Sequence, residues 1–275
     1  MYFTIKKYIL LFSIFFIFCN QKTFADDTKD KNYMKSVIEK AHRGDIASQN
    51  FIAISYLTGQ GAPKDYKKAL YWYTKAADQG DDTSQFQLGE MYYNGQGVPK
   101  DYKKAAEWYN KAADQRNVDA QFQLGEMYFK GQGVPQNYDI AGDFYTQAAD
   151  QGDVTSEYKL GEMYLIGQGS SQDYPSALVY FTKAGKQGHK IAQYKAGEMY
   201  YNGQGMSKNY SKALKWFAKS SHQKYAPAQV MIGKMYQAGQ GVRKNKFRAN
   251  LYFKQACLNK NQEGCDLYKS TSASH

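Results

Sequence analysis

Apolar and polar positions follow helical spacing, not strand alternation, through most of the chain. Ser84, Leu88, Met91 and Tyr92 recur at intervals of three and four on one face, with Gly89 among them. That predicts a first helix, A, running to about Asn94. Gly95 ends it, because glycine takes the left-handed conformation of a helix end without penalty. A second helix, B, follows. Pro99 can open a helix but not continue one, and Asp101 suits a positive first turn. Tyr102, Ala105, Tyr109, Ala112 and Ala113 then share a face. The small residues Gly89, Ala105 and Ala112 predict close backbone approach, with aromatics filling the space around them.

The same pattern recurs with no insertion or deletion. Gly-Gln-Gly begins at Gly59, Gly95, Gly131, Gly167, Gly203 and Gly239, every interval being 36 residues. Ten residues after each of these glycines stands an alanine: Ala69, Ala105, Ala141, Ala177, Ala213, Ala249. Three residues further comes an aromatic: Trp72, Trp108, Phe144, Tyr180, Trp216, Tyr252. A second aromatic follows each, from Tyr73 to Phe253. Trp108 reads as a large buried side chain of the core. One helix pair buries too little apolar surface to stand alone, whereas stacked copies share a continuous core. The expected fold is therefore all-α: a right-handed α-solenoid of 36-residue helix-turn-helix repeats, about six in full, with half-repeat caps.

The expected boundaries follow from the register. Six repeats span 46–261. Residues 26–45 read as an N-terminal capping helix, since Glu39-Lys40-Ala41 and Gly44 stand where the repeat has Lys75-Ala76-Ala77 and Gly80. Residues 262–275 read as a C-terminal capping helix and tail. Residues 1–25 are an address. Lys6 and Lys7 precede an apolar run from Ile9 to Phe18, and Thr23 and Ala25 are small enough for a peptidase pocket. A signal peptide cleaved after Ala25 fits best, giving an exported protein, periplasmic or secreted. The alternatives are an uncleaved anchor and lipidation at Cys19, against which bulky Phe18 argues. The run is too short to span a bilayer comfortably, so no stable membrane span is expected after cleavage.

The stretch from Ser84 through Ala113 reads small-x-x-x-Leu-Gly-x-x-Tyr-x-x-Gly-x-Gly, then Asp-x-x-x-Ala-x-x-Trp-Tyr-x-Lys-Ala-Ala. It resembles the Sel1-like repeat, a branch of the tetratricopeptide-type helical repeats, and the likeness extends over about 46–270. The resemblance implies an adaptor that holds other proteins together, and exported bacterial members often serve envelope assembly or host contact. A cysteine-rich branch of that family, with a Cys pair at an eight-residue separation, includes β-lactam-binding or β-lactam-hydrolysing members. That makes a β-lactam-active protein the alternative reading, although this chain has one such pair and not one per repeat.

Composition narrows the partners. The chain is 43% hydrophobic and 16% aromatic, with only 5 prolines, which is a folded-protein balance. Its formal net charge of +11 favours anionic partners such as envelope polymers, membrane surfaces or acidic proteins. Nucleic acid is not expected. Three cysteines exclude a disulfide-dense miniprotein, and four scattered histidines lack ligand spacing, so no metal or other cofactor is expected. With Cys19 removed, Cys257 and Cys265 would face each other across the last B-to-A turn, either as a disulfide or as two free thiols.

Catalytic motifs are weak. Gly-Gln-Gly joins helix to helix and lacks the ending of a phosphate loop. Ser156-Glu157-Tyr158-Lys159 and Ser221-His222-Gln223-Lys224 match the Ser-x-x-Lys spacing that lets lysine activate serine. Ser156, however, aligns with Ala120, Ala192 and Ala228, and Ser221 with Ala77 and Ala113, so both occupy small packing positions. The better candidate is a surface. Phe86, Glu90 and Tyr93 lie opposite the helix-A core stripe, and recur as Phe122, Glu126, Phe129, then Tyr158, Glu162, Leu165, then Tyr194, Glu198, Tyr201. In a right-handed superhelix helix A lines the concave side, so these residues would offer aromatic anchors and an acidic ladder to a protein or peptide. Inter-repeat packing is the competing use for them. On helix B, Lys67, Lys68, Lys75, Lys103, Lys104 and Lys111 form a basic strip, which resumes at Lys208 and suits either solvent or an anionic polymer.

Overall fold

The structure, a computed structural model, describes residues 27–272; the signal peptide expected at 1–25, with Cys19, lies outside the described residues. Among the described residues there are helices and no strands, so the all-α repeat architecture stands. They form two compact units dividing between Gln136 and Asn137. The first holds α1 (Asp27–His42), α2 (Ile46–Thr58), α3 (Tyr66–Ala77), α4 (Asp82–Asn94), α5 (Tyr102–Asp114) and α6 (Val118–Lys130). The second holds α7 (Tyr138–Asp150), α8 (Val154–Ile166), α9 (Tyr174–Lys186), α10 (Lys190–Asn202), α11 (Tyr210–His222), α12 (Ala226–Ala238), α13 (Lys246–Leu258) and α14 (Gln262–Ser272).

Most helix starts are set by side-chain caps, an exception being α12, where Tyr225 makes no cap bond. Asp101 stands just outside α5 with extended backbone, and its carboxylate accepts from Lys104 N–H at 3.0 Å. It is thus the cap and not a first-turn residue, and Pro99 lies upstream of it in the connection. Asp65, Asn137, Asp173, Asn209 and Asn245 cap their B helices in the same way. Gly-Gln-Gly does two different jobs. Gly95 takes φ 72°, and its N–H bonds Met91 O to close α4. Gly97 lies so close to the preceding B helix that an added Cβ would sit 2.7 Å from Tyr66 O.

Within each unit, core rings rest on glycines. Tyr109 lies against Gly89, where a Cβ would come within 2.4 Å of the ring. Phe181 on Gly161, Phe217 on Gly197 and Phe253 on Gly233 repeat the arrangement. The small helix-A residue therefore makes room for a ring, not for a second backbone as its size suggested. The fully buried aromatic is the second of each pair: Tyr73, Tyr109, Tyr145, Phe181, Phe217 and Phe253. Trp108 is only half-buried, with the Lys111 ammonium 3.9 Å above its ring, which corrects its expected burial.

Buried amides tie successive repeats together. Gln85 donates to Ala77 O at 3.2 Å and accepts from Gln115 Nε2 at 2.8 Å. Gln193 does the same between Gly185 O and Gln223. Both of these amides are paired at each end, as a dry interior requires.

Candidate partner-binding surface

The helix-A row is less open than its spacing suggested. Phe86 is 6% exposed and packs on Tyr109 with ring centroids 5.7 Å apart, so it belongs to the core. Glu90 is half-buried, and the Tyr109 hydroxyl donates to it at 2.6 Å. Burial, followed by the charge of Glu90 and that bond, holds the Tyr109 phenol protonated far above its ordinary range. Tyr93 donates to Gln132 of the next Gly-Gln-Gly at 3.0 Å and sits edge-on to Tyr102. Phe122 and Phe129 are half-buried, and Glu126 pairs with Lys130.

In the second unit the same row is built differently. Tyr158 on α8 itself donates to Glu162, and its ring stacks on His189 at 4.6 Å. Tyr194 stands one helical turn before Glu198, whose charge acts on its phenol and which pairs with Lys195 Nζ at 2.9 Å. Burial first, then the carboxylate, raises the phenols of both Tyr158 and Tyr194. Tyr201 donates to Gln240 at 2.8 Å. Packing therefore gives these carboxylates a use of its own: Glu90 accepts from Tyr109 and Glu162 from Tyr158. What each unit presents is a half-buried row of aromatic rings and carboxylates, most of them engaged with a neighbouring side chain.

Much of the basic strip is also engaged. Lys68, Lys75 and Lys104 lie over Tyr56, Tyr71 and Tyr92, and Lys219 over Trp216. Lys67, Lys103 and Lys208 remain exposed. Cys257 and Cys265 are joined across the α13–α14 turn with Cα atoms 4.4 Å apart.

Neither serine pair has a reactive geometry. Ser156 is fully buried in the small-residue column, out of reach of a substrate. α11 ends before Lys224, which takes φ 58°, so Ser221 and Lys224 do not share a helical face. Among the described residues no cluster of three potential metal ligands occurs, and no helix is long and apolar enough to cross a membrane. One residue escaped the sequence reading. Glu157 is 0% exposed in a column where the other repeats carry Gln49, Gln85, Gln121, Gln193 and Gln229. It accepts from Gln187 at 2.8 Å and faces Lys183 Nζ at 3.2 Å. Aligning the repeats column by column would have found it.

Stacked helix pairs with fixed aromatic and charged rows define an all-α repeat solenoid, a class whose faces serve contact. The Sel1 repeat model matches residues 46–81, 83–117, 118–153, 154–189, 190–225 and 226–261, and the chain belongs to the Sel1 repeat family. Proteins of this family are generally non-catalytic scaffolds for protein–protein interaction. The chain is similar to c5321, a protective antigen present in uropathogenic Escherichia coli strains that displays an SLR fold. The TM-score is 0.81 at 28% identity over 88% of this chain, which spans 56% of that protein. It is also similar to a Sel1 repeat protein from Oxalobacter formigenes, with TM-score 0.67 and 30% identity over 83% of this chain and 93% of the other. No curated protein matches it.

Proposed function

We propose that the protein is an exported, non-enzymatic scaffold that binds a protein or peptide partner along its helix-A faces, on the concave side of the repeats. The observation that carries this reading is the row of half-buried aromatic rings and carboxylates, several of them tied by hydrogen bonds or ion pairs. In the first unit it comprises Glu90, Tyr93, Phe122, Glu126 and Phe129; in the second, Tyr158, Glu162, Tyr194, Glu198 and Tyr201. Such side chains have already lost their rotamer freedom, so a partner meets aromatic anchors and acceptors at reduced entropic cost. Buried Phe86 is left out of this surface. Each carboxylate keeps further lone pairs for a Lys or Arg of the partner.

Export is supported by the basic, apolar and small-residue order of residues 1–25, and by a Cys257–Cys265 bridge, which suits an oxidising compartment. Tagged protein cross-linked in its native envelope tests both parts. The recovered chain is expected to begin at Asp26, two protons lighter than its fully reduced mass, and to carry a defined partner. Changing Glu90, Glu126, Glu162 and Glu198 together to Gln is expected to keep helicity and weaken capture of that partner tenfold or more, about 1.4 kcal/mol. Undiminished capture sinks the surface, and a retained Lys6-Lys7 segment sinks the export.

A further inference from the structure

Helix α13 is apolar on two opposite sides. Ala249, Phe253 and Ala256 face inward and are fully buried. Phe247, Leu251 and Leu258, at i, i+4 and i+11, form a second stripe on the far side of the helix. They are 72%, 44% and 73% exposed. The repeat does not require this. The same positions hold Lys103, Glu107 and Asp114 in the second repeat, and Ser211, Lys215 and His222 in the fifth. Helix α14 does not cover the stripe, because it packs on the inward side, with Gly264 against Ala256.

The charge around the stripe has one sign. Between Gly239 and Gln262 the chain carries Arg243, Lys244, Lys246, Arg248, Lys254 and Lys260 and no acid. Arg248 is engaged, donating to the Tyr236 hydroxyl at 3.0 Å, and the other five are exposed. The nearest acids in sequence, Glu263 and Asp266, are occupied by Lys234 and Gln262.

We propose that this face of α13, with its flanking loop, docks the protein reversibly on an anionic lipid surface. Phe247, Leu251 and Leu258 enter the acyl boundary while Lys244, Lys246 and Lys254 meet lipid phosphates. Protruding apolar side chains on one helix, interleaved with cations, match what a planar anionic interface accepts. An acidic protein would instead have to supply a separate cup for each protruding side chain. Three side chains and a handful of cations give weak binding that salt reverses. The inference rests on residues 239–262 and is independent of the helix-A partner reading.

The test is co-sedimentation of the chain beginning at Asp26, which contains every described residue, with phosphatidylcholine vesicles with and without phosphatidylglycerol. The expected result is binding at least tenfold stronger to the anionic vesicles and weakened by salt. Phe247→Ala/Leu251→Ala/Leu258→Ala and Lys244→Glu/Lys246→Glu/Lys254→Glu should each lose it tenfold or more with helicity unchanged. Lys67→Glu/Lys103→Glu/Lys104→Glu, an equal charge change elsewhere, should keep it. Equal binding to both vesicles, no binding to either, or equal loss in the Lys67/Lys103/Lys104 control would overturn the proposal. So would a dimer that the apolar triple variant disperses, which would assign the stripe to a second copy of the chain.

Discussion

The second repeat, in the first unit, and the fourth and fifth, in the second, bury the same ring on the same glycine but put the hydroxyl on opposite helices. In the second repeat helix A supplies Phe86 and helix B supplies Tyr109. In the fourth and fifth, helix A supplies Tyr158 or Tyr194 and helix B supplies Phe181 or Phe217. Either way a phenol is set against the carboxylate: Tyr109 donates to Glu90, Tyr158 donates to Glu162, and the charge of Glu198 acts on Tyr194. The sixth repeat has Val230 and Phe253, hence no phenol at either place, and Lys234 replaces the carboxylate. The first departs from the rule: Tyr73 is present, with Ile54 in the carboxylate column, and the nearby charge acting on its phenol is Asp81. The lesson is that the acidic row is coupled to the core beneath it. Its recognition chemistry is what remains after a tyrosine has been served.

The comparison is sharpest where the ring itself is removed. Tyr109→Ala and Phe217→Ala should each cost ~3–5 kcal/mol, since both rings are wholly buried. Trp108→Ala, beside Tyr109 but half-exposed, should cost roughly 1–2 kcal/mol. Hydrogen exchange should show the loss concentrated in the mutated repeat and its neighbours. If Trp108→Ala proves the costlier change, the assignment of the core ring fails.

Moving only the hydroxyl comes next. Tyr109→Phe should cost about 1.5–3 kcal/mol, the value of a bond to a charged acceptor. Phe86→Tyr in that background copies the fourth repeat's arrangement and should recover much of the loss. A double-mutant cycle in urea reads the coupling. Strict additivity would break the claim that the two arrangements are equivalent.

How far the residues announce this is uneven, and for physical reasons. Period, helix ends and the Gly-Gln-Gly turn are local, so backbone chemistry alone reveals them. Tyr109 stood on the predicted core face with Ala105 and Ala112, but the bulk of Trp108 drew attention to the wrong member of the pair. A tryptophan can lie along a surface under Lys111, whereas the Tyr109 ring sits so close to Gly89 that even a Cβ there would meet it. The tie between Glu90 and Tyr109 spans two helices and appears only when columns are compared across repeats. Read that way, Phe86 with Tyr109 against Tyr158 with Phe181 was available in the letters. Whether Phe86 faced a partner was not, because burial depends on the neighbouring helix.

Alkaline pH offers a smaller effect with a definite sign. The phenols of Tyr109, Tyr158 and Tyr194 are raised by burial and by their carboxylates. Above about pH 10 the unfolded chain releases protons that the folded chain retains. Their contribution is therefore complete below that pH and falls as pH rises through it, by up to ~1.4 kcal/mol per pH unit for buried Tyr109 and by less for Tyr158 and Tyr194, whose partial exposure screens them. Urea midpoints measured from pH 9 to 11 should decline, and Tyr109→Phe and Tyr158→Phe should each flatten the decline. A decline unchanged in both variants would mean that other groups govern it.

The smallest effect should be the same in both units, which makes it the control for the rest. The B-to-A turn needs one residue in the left-handed region. Gly80 fills it in the first unit and Gly188 in the second, at φ 91° and 97°. Arg116 and Lys224 fill it elsewhere, at φ 66° and 58°. A side chain there crowds the following carbonyl by ~1–2 kcal/mol, whereas glycine loses roughly 0.5–1 kcal/mol of extra chain entropy on folding. Arg116→Gly and Lys224→Gly should therefore each stabilise by about 0.5–1 kcal/mol. The turn takes no part in the exchange of phenols between helices, so neither unit should gain more. Thermal or urea unfolding of the two variants side by side provides the check. A gain confined to one unit would show that the units differ in more than where they place a hydroxyl, and the equivalence drawn from their rings would fail with it.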